Sequence, residues 1–354
     1  MFDLNKPLWI NWELNNICNL MCPQCGRNEI VDGELIKRDN LDNYDNSLQT
    51  FMKVYENIGY RVGLIRFQGH LSENVASRDF LPICEYIIEN GTVVGVSTNG
   101  SLRSTDFWYE LGKAFSKCRN NKQRSHIIFC IDGMGPELEL YRINANYNKI
   151  IENAQAFMEG GGEAWWRMII FKHNQHQVDA AEKEANRLGF SEFVTTHTNR
   201  RNALEPFKYK GKGYQLEIQD IDDDYNKKVE INLSNFSQEL ISCKAVNENQ
   251  FYVNHKNKVW ACYYIPDFKS LADEQDWYQE YYEDDSNNLE EKTLDEILDN
   301  KFYDVLQMSW DVESKCLSFC KQNCSVKKGL TRQFKFASGR ILTDQSDRNI
   351  QSYE

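Results

Sequence analysis

Short apolar runs rich in β-branched and aromatic residues recur over roughly the first 200 residues: Leu8–Trp12, Val62–Phe67, Val93–Ser97, Ile127–Ile131, Trp165–Phe171 and Glu192–Thr196. Runs of this length and make-up predict β-strands. Between them the apolar residues change to helical spacing. Phe80, Ile83, Cys84, Ile87 and Ile88 share one helix face, with Asp79 placed to cap its start and Gly91 to stop it. Ile150, Ile151, Ala154, Phe157 and Met158 form a second stripe ending at Gly160-Gly161-Gly162; Val178, Ala181, Ala185 and Leu188 form a third, closed by Gly189. Strand and helix in alternation predict the α/β class, with parallel strands and helices packed outside them. Six strands are too few for a closed eight-stranded barrel. The expected architecture is therefore a partial (βα)6 parallel barrel over residues 1–205, with function at the C-terminal ends of its strands.

Beyond this region the pattern weakens. Residues 206–240 lose periodicity and gain charge (Asp220–Asp224, Lys227, Lys228), and are expected to connect two domains. Residues 241–354 predict a smaller α+β domain. Within it, Phe251–Asn254 and Lys258–Cys262 suit a hairpin turned at His255-Lys256-Asn257, where Asn257 tolerates a left-handed backbone. Thr293 and Glu296 form a capping box for a helix carrying Leu294, Ile297 and Leu298. The acidic, aromatic stretch Asp273–Glu291 reads as a surface insertion.

With 41% hydrophobic and 27% charged positions, the composition is that of a globular protein. A formal net charge of −12 argues against general nucleic-acid binding, and Lys208, Lys210 and Lys212 read as a solvated linker rather than a basic groove. No apolar run approaches the roughly 20 residues that cross a bilayer, and Met1–Ile10 lacks the basic and apolar parts of a signal peptide. A cytoplasmic protein without membrane association is expected. Eleven cysteines in a reducing compartment point to metal rather than disulfides. Cys84, Cys118 and Cys130 stand singly and read as buried small hydrophobes, whereas the other eight fall into two groups.

The first group, Cys18-Asn19-Leu20-Met21-Cys22-Pro23-Gln24-Cys25, has C-x3-C-x2-C spacing and follows the first strand. Three thiolates in one short loop can ligate three irons of a cubane cluster and leave the fourth open for chemistry. Zinc completed by a distant residue is the alternative. Zinc ribbons, however, prefer paired C-x2-C knuckles, and the next histidine, His70, lies far along the chain. The triplet after the first strand of a (βα)6 pattern resembles the radical S-adenosylmethionine superfamily, over roughly the first 200 residues. That resemblance implies a [4Fe–4S] cluster with an open iron site at which S-adenosyl-L-methionine binds. Its reductive cleavage would give methionine and a 5′-deoxyadenosyl radical that abstracts hydrogen from an unactivated C–H bond.

The resemblance also implies places for the cofactor. Gly69, in Phe67–Glu73, matches the family's Gly-rich motif, and Ser97-Thr98-Asn99-Gly100 is similar to its Thr-Asn-Gly turn. Ser97 or Asn99 would then stand near the ribose or methionyl group. Asp132, in Ile131-Asp132-Gly133, would accept a ribose hydroxyl, and Arg142 or Arg167 would pair with the cofactor carboxylate. His173 and His176 lie at the same rim, as substrate or adenine contacts or as a helix cap.

Cys243, Cys262, Cys316, Cys320 and Cys324 make up the second group. The hairpin lets Cys243 and Cys262 meet at its base. The last three would close the site from a loop rather than a helix, because Gln322 and Asn323 interrupt the apolar pattern. This arrangement resembles the SPASM/Twitch extensions of radical enzymes and implies one auxiliary [4Fe–4S] cluster with a spare thiol. Four of the thiols would hold zinc equally well by count. The expectation is a radical enzyme fed by a reductant such as flavodoxin or ferredoxin. The stretch from Asp132 to Arg142 resembles peptide maturases, which favours a peptide or protein substrate over dehydrogenation or rearrangement of a small metabolite. A zinc-stabilised binding module and a cluster-binding homologue without catalysis are the readings from other classes.

Overall fold

The computed structural model describes residues 1–118, 124–197, 204–218, 241–263, 265, 275–283, 285–312, 314–324, 333–335 and 341–343. In chain order its strands include β1 (Leu8–Trp12), β2 (Asn28–Val31), β3 (Glu34–Lys37), β4 (Val62–Gln68), β5 (Val93–Thr98) and β6 (His126–Cys130). They continue with β7 (Glu163–Ile170), β8 (Glu192–His197), β9 (Leu204–Tyr209), β10 (Lys212–Leu216), β11 (Gln250–Val253) and β12 (Val259–Trp260). Helices up to residue 188 are α1 (Leu48–Ile58), α2 (Phe80–Glu89), α3 (Thr105–Ser116), α4 (Leu138–Tyr141), α5 (Tyr147–Glu159) and α6 (Val178–Leu188). The six expected strands are β1, β4, β5, β6, β7 and β8, each within two residues at either end. The class is mixed α/β with a parallel sheet. Among the described residues no helix is long and apolar enough to cross a membrane.

Two compact units divide the chain. One holds Asn15–Asp45, Phe67–Asp222 and Thr331–Glu354, and in it β5, β6, β7 and β8 run side by side in parallel. Side chains alternate along these strands. Ile127, Phe129, Trp166, Met168 and Phe193 are buried under the helices. There Trp108 of α3 meets the Phe129 ring at 5.2 Å and the Phe157 ring of α5 at 6.4 Å. Helices α3 and α5 approach so closely that a Cβ on Gly112 would stand 2.1 Å from the Phe157 carbonyl oxygen. The intervening residues, including Ser97, Cys130, Trp165, Arg167 and Thr196, turn to the opposite face of the sheet.

A second, four-stranded sheet in this unit has the order β10-β9-β3-β2. Asp32-Gly33 and Lys210-Gly211 turn its two hairpins, all four residues at positive φ. Leu35, Ile143 and Phe207 form its core, with Met21 of the cysteine loop packed against them. Leu204–Leu216 is therefore a hairpin and not part of a connector, and Lys208 sits in register with Glu34. The rest of the expected connector, 219–240, lies outside the described residues.

The other unit holds Met1–Leu14, Asn46–Arg66 and Asp223–Leu330. Strand β11 lies parallel to β1, with Ile10 opposite Phe251, and the sheet runs β12-β11-β1-β4. Ser47 caps α1, which sets Phe51 against Trp12 at 4.6 Å. Thr293 and Glu296 form the expected capping box. The stretch read as a surface insertion instead contains the helix Asp276–Glu283, whose Tyr278 and Tyr281 are buried. Ring packing explains the difference: Tyr281 stacks on Phe302 at 3.7 Å and meets Trp260 edge-on at 5.5 Å. Two smaller expectations also change. Asp79 occupies the cap position of α2 without a capping hydrogen bond, and Cys118 is half-exposed rather than buried.

Asn257 takes the left-handed turn at φ 59°. It is fully buried, and its Nδ2 donates to Asn46 Oδ1 and Glu290 Oε1, each at 2.8 Å. Asn257→Gly relieves the backbone but removes both bonds and leaves a buried amide oxygen and a carboxylate unanswered. We expect a net loss of about 2 kcal/mol in urea unfolding, whereas a purely conformational role for Asn257 predicts no loss.

Candidate functional site

The loop after β1 carries Cys18, Cys22 and Cys25, and polar side chains fix its path. The Cys25 N–H donates to the Cys22 carbonyl at 3.1 Å, and Asn28 Nδ2 donates to the same carbonyl at 2.9 Å. Arg27 is buried and donates to the carbonyls of Asn16 and Leu71. Asn15 Nδ2 reaches the carbonyls of Glu73 and Asn74. The loop thus presents three half-buried thiols from one turn. Burial raises Cys18 to about 11, helped by the Glu73 charge and by Cys25. Burial raises Cys22 further, opposed by Arg142 and reinforced by Cys25 and Cys18. The three thiols therefore lie within one another's field, and holding all of them as thiolates demands compensating positive charge.

Among the described residues no three His, Cys, Asp or Glu side chains converge closely enough to hold a bare metal ion. A cubane cluster places each thiolate on a different iron and so spaces its ligands more widely than a single ion does. Three thiols from one loop fit that donor set. His70, distant in sequence, folds beside the loop: its Nε2 lies 3.8 Å from where a Cβ on Gly26 would stand.

Gly69 is required by its own turn. An added Cβ would lie 1.6 Å from the Ser72 carbonyl oxygen, so no side chain fits. Four residues on, the buried Glu73 carboxylate accepts from Thr98 Oγ1 at 2.6 Å and from the Asn99 N–H at 2.7 Å. Burial raises its pKa against the pull of those bonds. Asn99 is thereby aimed at the cysteine loop, with Nδ2 3.0 Å from Asn19 Oδ1 and 3.7 Å from Cys18 Sγ. The hydroxyls of Ser97 and Ser72 are buried without a hydrogen-bond partner.

Asp132 and Arg142 find each other. Arg142 Nε donates to Asp132 Oδ2 at 2.7 Å, and Asp132 Oδ1 accepts the Ile169 N–H at 2.6 Å. With both carboxylate oxygens engaged, Asp132 serves Arg142 in this arrangement. Burial is the largest influence and opposes the Arg142 charge, but Asp132, Cys130, Cys22 and Tyr141 together outweigh it and the guanidinium is held more firmly charged than usual. Its Nη groups have no hydrogen-bond partner among the described residues. Arg167 lies one strand beyond, its Nη2 3.0 Å from Cys130 Sγ. His173 caps no helix. Its ring stacks on Phe171, both its nitrogens are buried without partners, and burial lowers its pKa.

The five C-terminal cysteines also gather. Cys320 feels Cys262, Cys316 and Cys243, and Cys324 feels Cys243, Cys320 and Cys262. A hydrogen bond with the Cys324 thiol lowers Cys243 to about 7 and raises Cys324. Ser318–Cys324 is helical, contrary to the expected loop, so Cys320 and Cys324 occupy one helix face at i and i+4. Polar residues between them do not break a helix whose inward face is cysteine.

Glu73, Asn15 and Arg27 escape sequence reasoning. A carboxylate closing the Gly69 turn, next to a Thr-Asn pair, was the available signal for the first; the other two act through backbone carbonyls and leave no motif.

No family model and no curated protein matches the chain. Solved structures do. SuiB of Streptococcus suis superposes with a TM-score of 0.55 at 13% identity, covering 85% of this chain and 68% of its own. SuiB bound to the precursor peptide SuiA gives 0.54 at 12%, covering 85% and 66%. Native anSMEcpe with bound AdoMet gives 0.51 at 17%, covering 92% of each chain. The chain spans about two thirds of the SuiB chain. At these identities the likeness is one of fold: the chain shares the fold of SuiB and anSMEcpe.

Proposed function

We propose that this chain is a radical S-adenosylmethionine enzyme that cleaves its cofactor reductively and abstracts hydrogen from a peptide or protein substrate. The observation that carries the reading is the thiol triplet. Cys18, Cys22 and Cys25 share one pinned loop, lie within one another's field, and have the buried Arg142 cation beside Cys22. The radical core expected over residues 1–205 would extend through the β9–β10 hairpin to Leu216, and 241–354 would be the auxiliary-cluster domain. Peptide-bound SuiB shares the fold and supports the substrate class.

In this reading Cys18, Cys22 and Cys25 hold a [4Fe–4S] cluster by three irons. When bound, the cluster and S-adenosylmethionine supply one-electron cleavage of the sulfonium and hydrogen abstraction from substrate. The chain's own residues bind and orient. Glu73 fixes the Thr98–Asn99 turn against the loop. Arg142, aimed by Asp132, offers its Nη fork to the cofactor carboxylate. Ser97 and Asn99 supply polar groups for the ribose or methionyl end, and the sheet of β2, β3, β9 and β10 covers Met21 and keeps water from the loop. Cys243, Cys262, Cys316, Cys320 and Cys324 would hold one auxiliary [4Fe–4S] cluster. Such a site belongs in a reducing compartment, the cytoplasm, with a flavodoxin- or ferredoxin-type donor.

Protein reconstituted without oxygen should contain about eight irons per chain and release 5′-deoxyadenosine after dithionite and S-adenosylmethionine are added. Cys22→Ala should lose the product and about four irons, and Cys320→Ala about four irons from the other site. Iron without product in every condition tried would sink the catalytic reading.

Arg142→Lys keeps the charge and loses the fork. S-adenosylmethionine binding to reconstituted protein, measured by equilibrium dialysis, should weaken about tenfold or more. Unchanged binding would remove Arg142 from the cofactor site.

A further inference from the structure

On the sheet face turned away from the helices, the register sets Cys130 of β6, Arg167 of β7 and Val194 of β8 side by side. Arg167 is partly buried there. Its hydrogen-bond partner among the described residues is the Cys130 thiol at 3.0 Å, and no carboxylate pairs with it. A guanidinium whose hydrogen-bond partner among the described residues is one thiol keeps a largely unused fork of donors. Glu192, the acidic residue of β8 on this face, is in register with Trp165 and not with Arg167. Two further polar atoms on the face are buried without partners, Thr196 Oγ1 and Ser97 Oγ. Thr196 is two residues beyond Val194, in register with Ile169, and so stands diagonal to Arg167.

We propose that Arg167, held in place by Cys130 and flanked by Thr196, is a subsite for a carboxylate of the substrate, separate from the cofactor's own carboxylate partner. The proposal rests on the reading of the chain as a radical S-adenosylmethionine enzyme and adds the substrate's charge. Position separates the two arginines. Arg142 follows β6 and is paired with Asp132 in the field of Cys22 and Cys130, whereas Arg167 stands on β7 with the Cys130 thiol as its partner. A ligand shared by Arg167 and Thr196 lies over β7 and β8. The acid is either a side-chain carboxylate of a peptide or a free C-terminal carboxylate. Both present the same planar pair of oxygens to the fork.

The test uses reconstituted holoprotein saturated with S-adenosylmethionine. Three probes are followed by saturation-transfer NMR with titration: N-acetylglutamate α-amide, N-acetylalanine, and N-acetylglutamine α-amide as the neutral control. The account expects at least one acidic probe to bind with the cofactor present and the neutral control to bind at least tenfold more weakly. Which acid binds better separates a side-chain from a C-terminal carboxylate. Arg167→Gln should lower affinity for the acidic probe at least tenfold, and Arg167→Lys should recover part of it. Displacement of the acidic probe by S-adenosylmethionine would assign Arg167 to the cofactor and overturn the proposal. Equal binding of acidic and neutral probes to the wild-type protein would overturn it without any variant. Binding does not depend on turnover, so a failure of 5′-deoxyadenosine formation would count against the enzymatic reading and not against this subsite.

Discussion

A guanidinium taken out of water must have its charge answered inside the fold, or the fold does not tolerate it. Arg142 finds its answer in Asp132, 2.7 Å away and wholly buried, and Asp132 is in turn held by the Ile169 N–H. One carboxylate thus ties the end of β6 to β7 and to the short helix α4. Removing either partner of such a pair leaves an uncompensated charge and costs about 3–5 kcal/mol. The pair does more than hold the strands together. It delivers a fixed cation into the field of Cys22, where three crowded thiols need positive charge before they can ionise together.

The same electrostatic logic separates the two cysteine groups. In the N-terminal loop burial dominates, and Cys18 and Cys22 both resist ionisation. The C-terminal group contains a pair in which one thiol stabilises the other's thiolate, so Cys243 falls to about 7 while Cys324 rises. Backbone N–H groups of Ala245 and Val246 also lower Cys243. Among the described residues neither group closes into a cage sized for one ion.

How much was legible in advance depended on whether the signal was local. Strands β1 and β4 to β8 showed as apolar runs, the capping box as Thr293 and Glu296, and the hairpin turn as Asn257. The triplet was visible because its chemistry lies in eight consecutive residues. What was hidden needed partners far along the chain. Glu73 means little until Thr98 and Asn99 close on it, and the pairing of Asp132 with Arg142 leaves no local signal. The Tyr278 and Tyr281 helix looked like an exposed insertion because its aromatic partners, Trp260 and Phe302, lie in other elements. The hairpin of β2 and β3 carries a local signal of the same kind: Asp32-Gly33 is a turn dipeptide between two short apolar stretches.

The central claim is that the loop of Cys18, Cys22 and Cys25 presents an open iron to S-adenosylmethionine. The most direct test is electron–nuclear double resonance on the dithionite-reduced, reconstituted protein. The cofactor would carry 15N in its amino group and 17O in its carboxylate. The account predicts hyperfine coupling of both labels to the reduced cluster, since only an iron without a cysteine ligand can take them. A reduced cluster with cofactor bound yet no coupling from either label would contradict it.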